Sequence, residues 1–351
     1  MKKTYIALAI AALATAAGAN AATVYKTDAT QFDIGGRAEF RGDFIGTDGG
    51  QEIDGTMHNA SRFRINFAGE TKITDNLSGI GFYEAEQGVT SSADNDATTD
   101  LTQRYVFAGF KTNVGNFTFG RQDTSTVMIS QMSDITTYSG AQKSFIDAGD
   151  EQINNNIQYA GNFLNDALTV KANVILGEED NSDGYGVAAK YTLPIGLGLA
   201  LGYAANDISD DATETIGGVQ VASQYAGQSA DQFIAGVNYS MGGLYAAVTY
   251  TTGNLNDDQD FDGVETAVQY KWDTGFRVIG AYQYQEAESE TINNWFELTG
   301  GYDFTDNLYA YVSYKLNNLD EGDATLEQYG SLNNTVIETE DSMRLGLLYT
   351  F

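Results

Sequence analysis

From residue 31 the chain alternates. Between Gln31 and Ile45 the even positions are Phe32, Ile34, Gly36, Ala38, Phe40, Gly42 and Phe44, while the odd positions Asp33, Gly35, Arg37, Glu39, Arg41 and Asp43 are charged except for the glycine. A pleated strand sends successive side chains to opposite faces, so this segment reads as a strand with one apolar and one charged side. A helix would smear both sets around its circumference. The pattern returns in Phe63, Ile65, Phe67 and Ile73 against Arg62, Arg64, Asn66, Glu70 and Lys72. The last strand repeats it, with Met343, Leu345, Leu347, Tyr349 and Phe351 opposing Arg344, Gly346 and Thr350. Between these lie further sets such as Leu197/Leu199/Leu201/Tyr203 and Leu308/Val312/Tyr314/Leu316. Each set occupies about 9–11 positions, the length a tilted membrane strand requires.

The connections alternate short and long. Seven are short, at residues 74–76, 112–115, 164–166, 193–196, 241–243, 273–275 and 305–307, and carry the Asp, Asn and Gly that tight turns use. The long ones carry the acid, including Glu178 to Asp183, Asp207 to Ser229, Asn254 to Asp262, Glu286 to Thr291 and Asp320 to Glu340. Seven short turns and eight long loops predict about sixteen strands with both chain ends on the short-turn side. The expected fold is all-β: a transmembrane antiparallel up-and-down barrel with short periplasmic turns and long outer loops. A soluble sandwich or lipocalin-like barrel would point all these apolar faces inward, into a core larger than one domain builds.

The first residues support export. Lys2 and Lys3 precede an apolar stretch from Tyr5 to Ala17, and Ala19-Asn20-Ala21 fits a small-x-small cleavage site. Residues 1–21 are thus expected to leave as a signal peptide and residues 22–351 to form one barrel domain. The stretch is too short for a membrane anchor. There is no cysteine, which removes disulfide frameworks and thiolate metal sites. A single proline suits a protein that is nearly all ladder-bonded sheet, and 22 tyrosines with 18 phenylalanines suit aromatic belts.

The formal charge of −30 becomes about −32 without Lys2 and Lys3. Nucleic acid is excluded as a partner, because phosphate contacts need a basic surface, and cations are expected to be enriched near the protein.

Specific segments resemble the Gram-negative general porin family of trimeric, sixteen-stranded diffusion channels. Ser61–Thr71, SRFRINFAGET, is similar to the family's Arg-x-x-Phe-x-Gly-Glu-Thr strand. Arg104–Lys111, RYVFAGFK, resembles Arg-x-x-Phe-Ala-Gly-Leu-Lys, and Gly115–Arg121, GNFTFGR, resembles the segment leading into an inward-folded third loop. Phe351 matches the family's C-terminal assembly signal.

The resemblance implies a constriction where the third loop, here Thr124 to Glu151, bends into the lumen. Its basic wall would be Arg37, Arg64 and Arg104, joined through the alternation by Arg62. Asp134 matches an early loop acid, with Asp147, Asp150 and Glu151 late in the loop and Lys143 among them. Two features depart from the family. Gln152 stands where a further wall arginine is expected, and the Pro-Glu-Phe-Gly-Gly loop tip is absent. The resemblance also implies a homotrimer latched through the loop Gly88 to Asp100. It further implies an outer-membrane location in a Gram-negative cell, lipid and lipopolysaccharide as surroundings, and periplasmic chaperones and the barrel assembly machinery as biogenesis partners.

The functional expectation is a water-filled channel for passive passage of small hydrophilic solutes and ions, preferring cations. The wall arginines could instead simply pair with Glu39, Asp43, Glu70 and Glu84. The alternative function is an adhesin or phage-receptor barrel acting through its outer loops. A sugar-specific porin would need a continuous aromatic stripe, which Tyr245, Trp295, Tyr309 and Tyr311 do not make. No enzyme is expected, since His58 is the only histidine and no nucleophile elbow or phosphate loop is present. No cofactor is expected beyond divalent cations bound loosely at acidic outer loops.

Overall fold

The computed structural model describes residues 21–48, 51–53, 55–89, 101–216, 219–319 and 339–351. Residues 1–20 of the expected signal peptide and residues 90–100 of the expected latch loop lie outside the described residues.

Sixteen strands build the barrel. They are β1 (Thr30–Ile45), β2 (Arg62–Thr74), β3 (Leu77–Gly88), β4 (Thr102–Thr112), β5 (Gly115–Gln122), β6 (Ile153–Phe163), β7 (Leu168–Ile175) and β8 (Gly184–Thr192). Then follow β9 (Leu197–Asp207), β10 (Ser229–Met241), β11 (Leu244–Asn256), β12 (Gln259–Lys271), β13 (Phe276–Ala287), β14 (Glu290–Thr305), β15 (Leu308–Asn317) and β16 (Ser342–Thr350). Each pairs antiparallel with its sequence neighbours, and β16 pairs back onto β1, so no sheet edge remains. Closure is what a membrane demands, because an open edge would leave backbone N–H and C=O groups unpaired in hydrocarbon. An N-terminal arm, Ala22–Lys26, pairs with Gln31–Ile34 on the edge of β1 that β16 also uses. Phe351 exchanges backbone hydrogen bonds with Gly36, at 2.9 and 3.0 Å, so arm and C-terminus meet nearly end to end.

The alternation sorts as expected. Phe40, Leu199 and Leu347 are 44, 45 and 43% exposed on the outer surface, whereas Glu39 and Arg344 are nearly buried within the cylinder. About forty large apolar side chains are exposed in this way among the described residues. Soluble monomers rarely expose a contiguous apolar patch larger than a few hundred Å², and this one runs over the outer faces of the strands all round the barrel. The outer belt therefore belongs in lipid.

All seven short turns fall where the turn residues place them. Two of the expected long loops do not form. Asn254 to Asp262 and Glu286 to Thr291 are hairpins whose strands run on to two-residue turns at Asp257-Asp258 and Glu288-Ser289. Glu288 and Ser289 both adopt positive φ, 50° and 66°, the primed geometry that suits strand twist. Their side chains give no Asn-Gly signal, so the acidic stretch reads as loop.

Candidate functional site

The arginines meet because strand register stacks them. Arg37 on β1 faces Arg64 on β2, which faces Glu86 on β3. Two positions along the ladder, on the same face, Glu39 faces Arg62. All point into the lumen, since they occupy the face opposite the lipid-exposed residues. Four guanidiniums this close would repel, and three carboxylates interleave with them. Arg62 Nε donates to Glu39 at 2.6 Å, Arg104 Nε to Glu84 at 2.9 Å, and Arg64 Nη2 to Glu86 at 2.6 Å. Arg37 approaches Glu86 at 3.7 Å. Glu86 was not among the partners anticipated from sequence; Asp43 and Glu70 were, but they pair with Arg344 and Lys111 instead.

The third loop folds into the lumen, as expected, and there it lies along the wall. It leaves β5 at Asp123, makes one helical turn, α1 (Val127–Ser130), and returns through short 3-10 turns at Ala141–Lys143 and Asp147–Gly149. Its polar anchors march around the barrel. Ser125 N–H donates to Asn173 on β7 (2.8 Å), Gln232 on β10 to Thr126 (3.1 Å), and Tyr245 on β11 to the Met132 carbonyl (2.6 Å). Gly140 N–H donates to Glu265 on β12 (3.1 Å) and Gln285 on β13 to the Ala141 carbonyl (2.9 Å). Between anchors the loop buries apolar surface, with Phe145 stacked on Phe261 at 4.1 Å. Ile129 and Met132 pack on Ala188, Ala200, Ile234 and Ala247.

That wall is built low to receive the loop. A methyl group at Gly202 would lie 3.0 Å from Ile129, and one at Gly236 would lie 2.8 Å from Ile129 and 2.9 Å from Met132. The loop lies along β7–β13 and reaches β14, β15 and β16 through Thr137 and Tyr138, and among the described residues it makes no hydrogen bond to Arg37, Arg62, Arg64 or Arg104.

The four anticipated loop acids separate into two groups. Asp134 and Glu151 come together on Lys143, whose Nζ lies 2.7 and 2.8 Å from them. Burial alone would lower the Lys143 pKa, but these two carboxylates outweigh it and hold the ammonium above its usual range. Asp147 and Asp150 make no ion pair with Lys143 among the described residues; Asp150 instead accepts from the Glu151 N–H at 2.6 Å. Burial pushes Asp150 up to about 6, with the charges of Glu151 and Asp147 adding to it, and burial raises Asp147 as well. Gln152 sits at the loop root in a left-handed conformation (φ 59°), its N–H directed at Asp123.

Sequence reasoning missed Asp123, which accepts from Tyr105 at 2.8 Å, and the pairing of Arg344 with Asp43, 301 positions apart. The inward aromatics are tied individually. Tyr311 donates to Glu39 at 2.9 Å, Tyr309 carries Arg277 over its ring at 4.2 Å, and Trp295 is almost fully covered.

The profile of the family described as "Gram-negative porin" matches residues 7–322. The chain is 32% identical to outer membrane protein U of Vibrio parahaemolyticus and 31% identical to porin-like protein L of Photobacterium profundum, each over 100% of both chains. Among solved structures it is similar to Salmonella typhi OmpF in complex with daunomycin, with a TM-score of 0.76 and 21% identity over 94% of this chain and 100% of that one. It is also similar to Vibrio cholerae OmpT in its trimer form, with a TM-score of 0.66 and 20% identity over 92% of this chain and 100% of that one. At these identities the structural likeness concerns the fold.

Proposed function

The chain belongs to the Gram-negative porin family and is an outer-membrane β-barrel, and from that premise we propose that it is a general diffusion channel for small hydrophilic solutes and ions, with a preference for cations. The observation that carries this reading is the partial exposure of facing charges. Arg37 and Arg62 keep 25% of their side-chain surface open, and Asp134 and Glu151 on the inward-folded loop keep 21 and 19%. These groups are ion-paired, and the surface each still leaves open is accommodated at low cost when water fills the lumen. A polar solute exchanges its hydration for these walls, whereas an apolar one strips ordered water without replacing it.

The cation preference is supported by the interleaving of Glu39, Glu84 and Glu86 among the arginines, which cancels much of the basic wall. The glutamine at 152 and the formal charge of −30 act in the same direction. A homotrimer is part of the proposal, supported by family membership and by the trimer form of the similar OmpT. Single-channel recording across a planar bilayer under a salt gradient tests the reading. Conductance in steps of three with a reversal potential of cationic sign is expected. A silent bilayer would remove the channel, and an anionic sign would remove the preference.

A further inference from the structure

We infer that Arg344 and Tyr138 form a clamp that parks the tip of the third loop on the barrel seam and thereby sets the bore of the channel. The inference rests on the diffusion-channel reading, because a bore matters only if something passes. The seam is the junction of β1 and β16, where the last strand closes on the first. Arg344 on β16 binds both oxygens of Asp43 on β1, through Nε at 2.6 Å and Nη2 at 2.9 Å. Its remaining nitrogen, Nη1, donates to the Thr137 carbonyl at 2.8 Å. Its guanidinium lies 4.2 Å from the centre of the Tyr138 ring. A single planar fork thus serves two tasks, fastening the seam with one edge and holding the loop with the other edge and its face.

Thr137 and Tyr138 are the turn of the loop, midway between its outgoing and returning arms. Neighbouring strands add to the grip. Lys315 on β15 lies 5.4 Å from the same ring, and Glu297 on β14 receives the Thr137 N–H at 3.4 Å. Two buried cations against one aromatic ring form the kind of contact in which cation–π attraction is strongest. The hydroxyl contributes nothing comparable: Tyr138 Oη is buried without a hydrogen-bond partner among the described residues. The ring is what the site uses.

The direction of failure follows from the geometry. The docked tip lies against the wall, so the space open to it on release is the water-filled lumen. An unclamped tip would swing inward and interrupt the current. Arg344 and Tyr138 are therefore positioning residues, acting on permeation through the loop.

The test uses the full-length protein in planar bilayers, reading the fraction of time spent below the full open level. Tyr138→Phe keeps the ring and is expected to match the parent. Tyr138→Leu leaves the Arg344–Asp43 pair untouched and is expected to raise that fraction about tenfold, as loss of a desolvated cation–π contact implies. Arg344→Lys keeps the charge but loses the fork, and should flicker likewise. If Tyr138→Leu is as quiet as the parent, the clamp is overturned, whatever Arg344→Lys does. If Tyr138→Phe flickers as strongly as Tyr138→Leu, the ring-based account is overturned. Should Arg344→Lys fail to fold, the two Tyr138 variants decide alone. A parent that carries no current overturns the channel reading, and this inference with it.

Discussion

Glu86 lies directly across the ladder from Arg64 and accepts from both its Nε (2.9 Å) and its Nη2 (2.6 Å). The same carboxylate stands 3.7 Å from Arg37 and 3.7 Å from Arg62. One acid is thus shared among three arginines on β1 and β2. The wall that looks basic in sequence is a mixed lattice, and Glu86 is its hub.

Replacing that hub should expose the basic wall. Glu86→Gln keeps the shape and removes one negative charge from among three guanidiniums. We expect the cation-to-anion permeability ratio to fall by roughly twofold or more, measured as a shift of reversal potential under a salt gradient. An unchanged ratio would mean that the wall does not sense the permeating ions.

Lys143 has the opposite sign. It masks Asp134 and Glu151 with contacts of 2.7 and 2.8 Å. Lys143→Gln should uncover both carboxylates and raise cation preference by about twofold. The effect should shrink at high salt, since exposed charges are screened over about 3 Å at 1 M.

Asp150 gives the channel a pH dependence. Its carboxyl is pushed up to about 6, from an ordinary value of 3.8, by burial and then by Glu151 and Asp147, with Lys143 opposing. The sign follows directly. A raised carboxyl pKa means that the folded chain holds the proton more tightly, so its contribution to stability is greatest at low pH and fades as pH rises from about 4 through 6. For permeation, acidification through pH 6 removes a negative charge from the loop. Cation preference should be weaker at pH 5 than at pH 7.5, and Asp150→Asn should flatten the step. A profile without an inflection near 6 would contradict this.

The low wall beneath the loop invites a steric test. A side chain added at Gly236 meets Ile129 and Met132 within 3 Å. Gly236→Val should lift α1 off the wall and lower conductance, at a cost of roughly 1–3 kcal/mol for overpacking. The barrel should still form, because β10 keeps its ladder with β9 and β11. Heat-resistant migration on gels checks folding, and single-channel steps check the bore.

Much of this was legible in the sequence, for a physical reason. A barrel wall obeys one rule, lipid outside and water inside, and a period of two records it directly. Strand count, turn positions and the inward set Arg37, Arg62, Arg64 and Arg104 follow from that rule. It lapses above the membrane, where both faces are wet, and so the hairpins at Asp257-Asp258 and Glu288-Ser289 look like acidic loops. A second signal was present but unread. Inward positions Gly186, Ala188, Ala200, Gly202, Ala204 and Gly236 are all small, which marks the wall on which the third loop lies. The pairings of Lys143, Asp123 and Arg344 left no such trace. They join an aperiodic loop or distant strands, and nothing in local spacing reveals them.

The most direct measurement exploits the absence of cysteine. Single cysteines at Arg37 and Phe40 sit three residues apart on β1, one facing the proposed pore and the other the lipid. A charged, membrane-impermeant thiol reagent is applied while current is recorded. The account predicts that Arg37→Cys channels change conductance on modification, whereas Phe40→Cys channels do not. Silence at residue 37 with a response at residue 40 would contradict it.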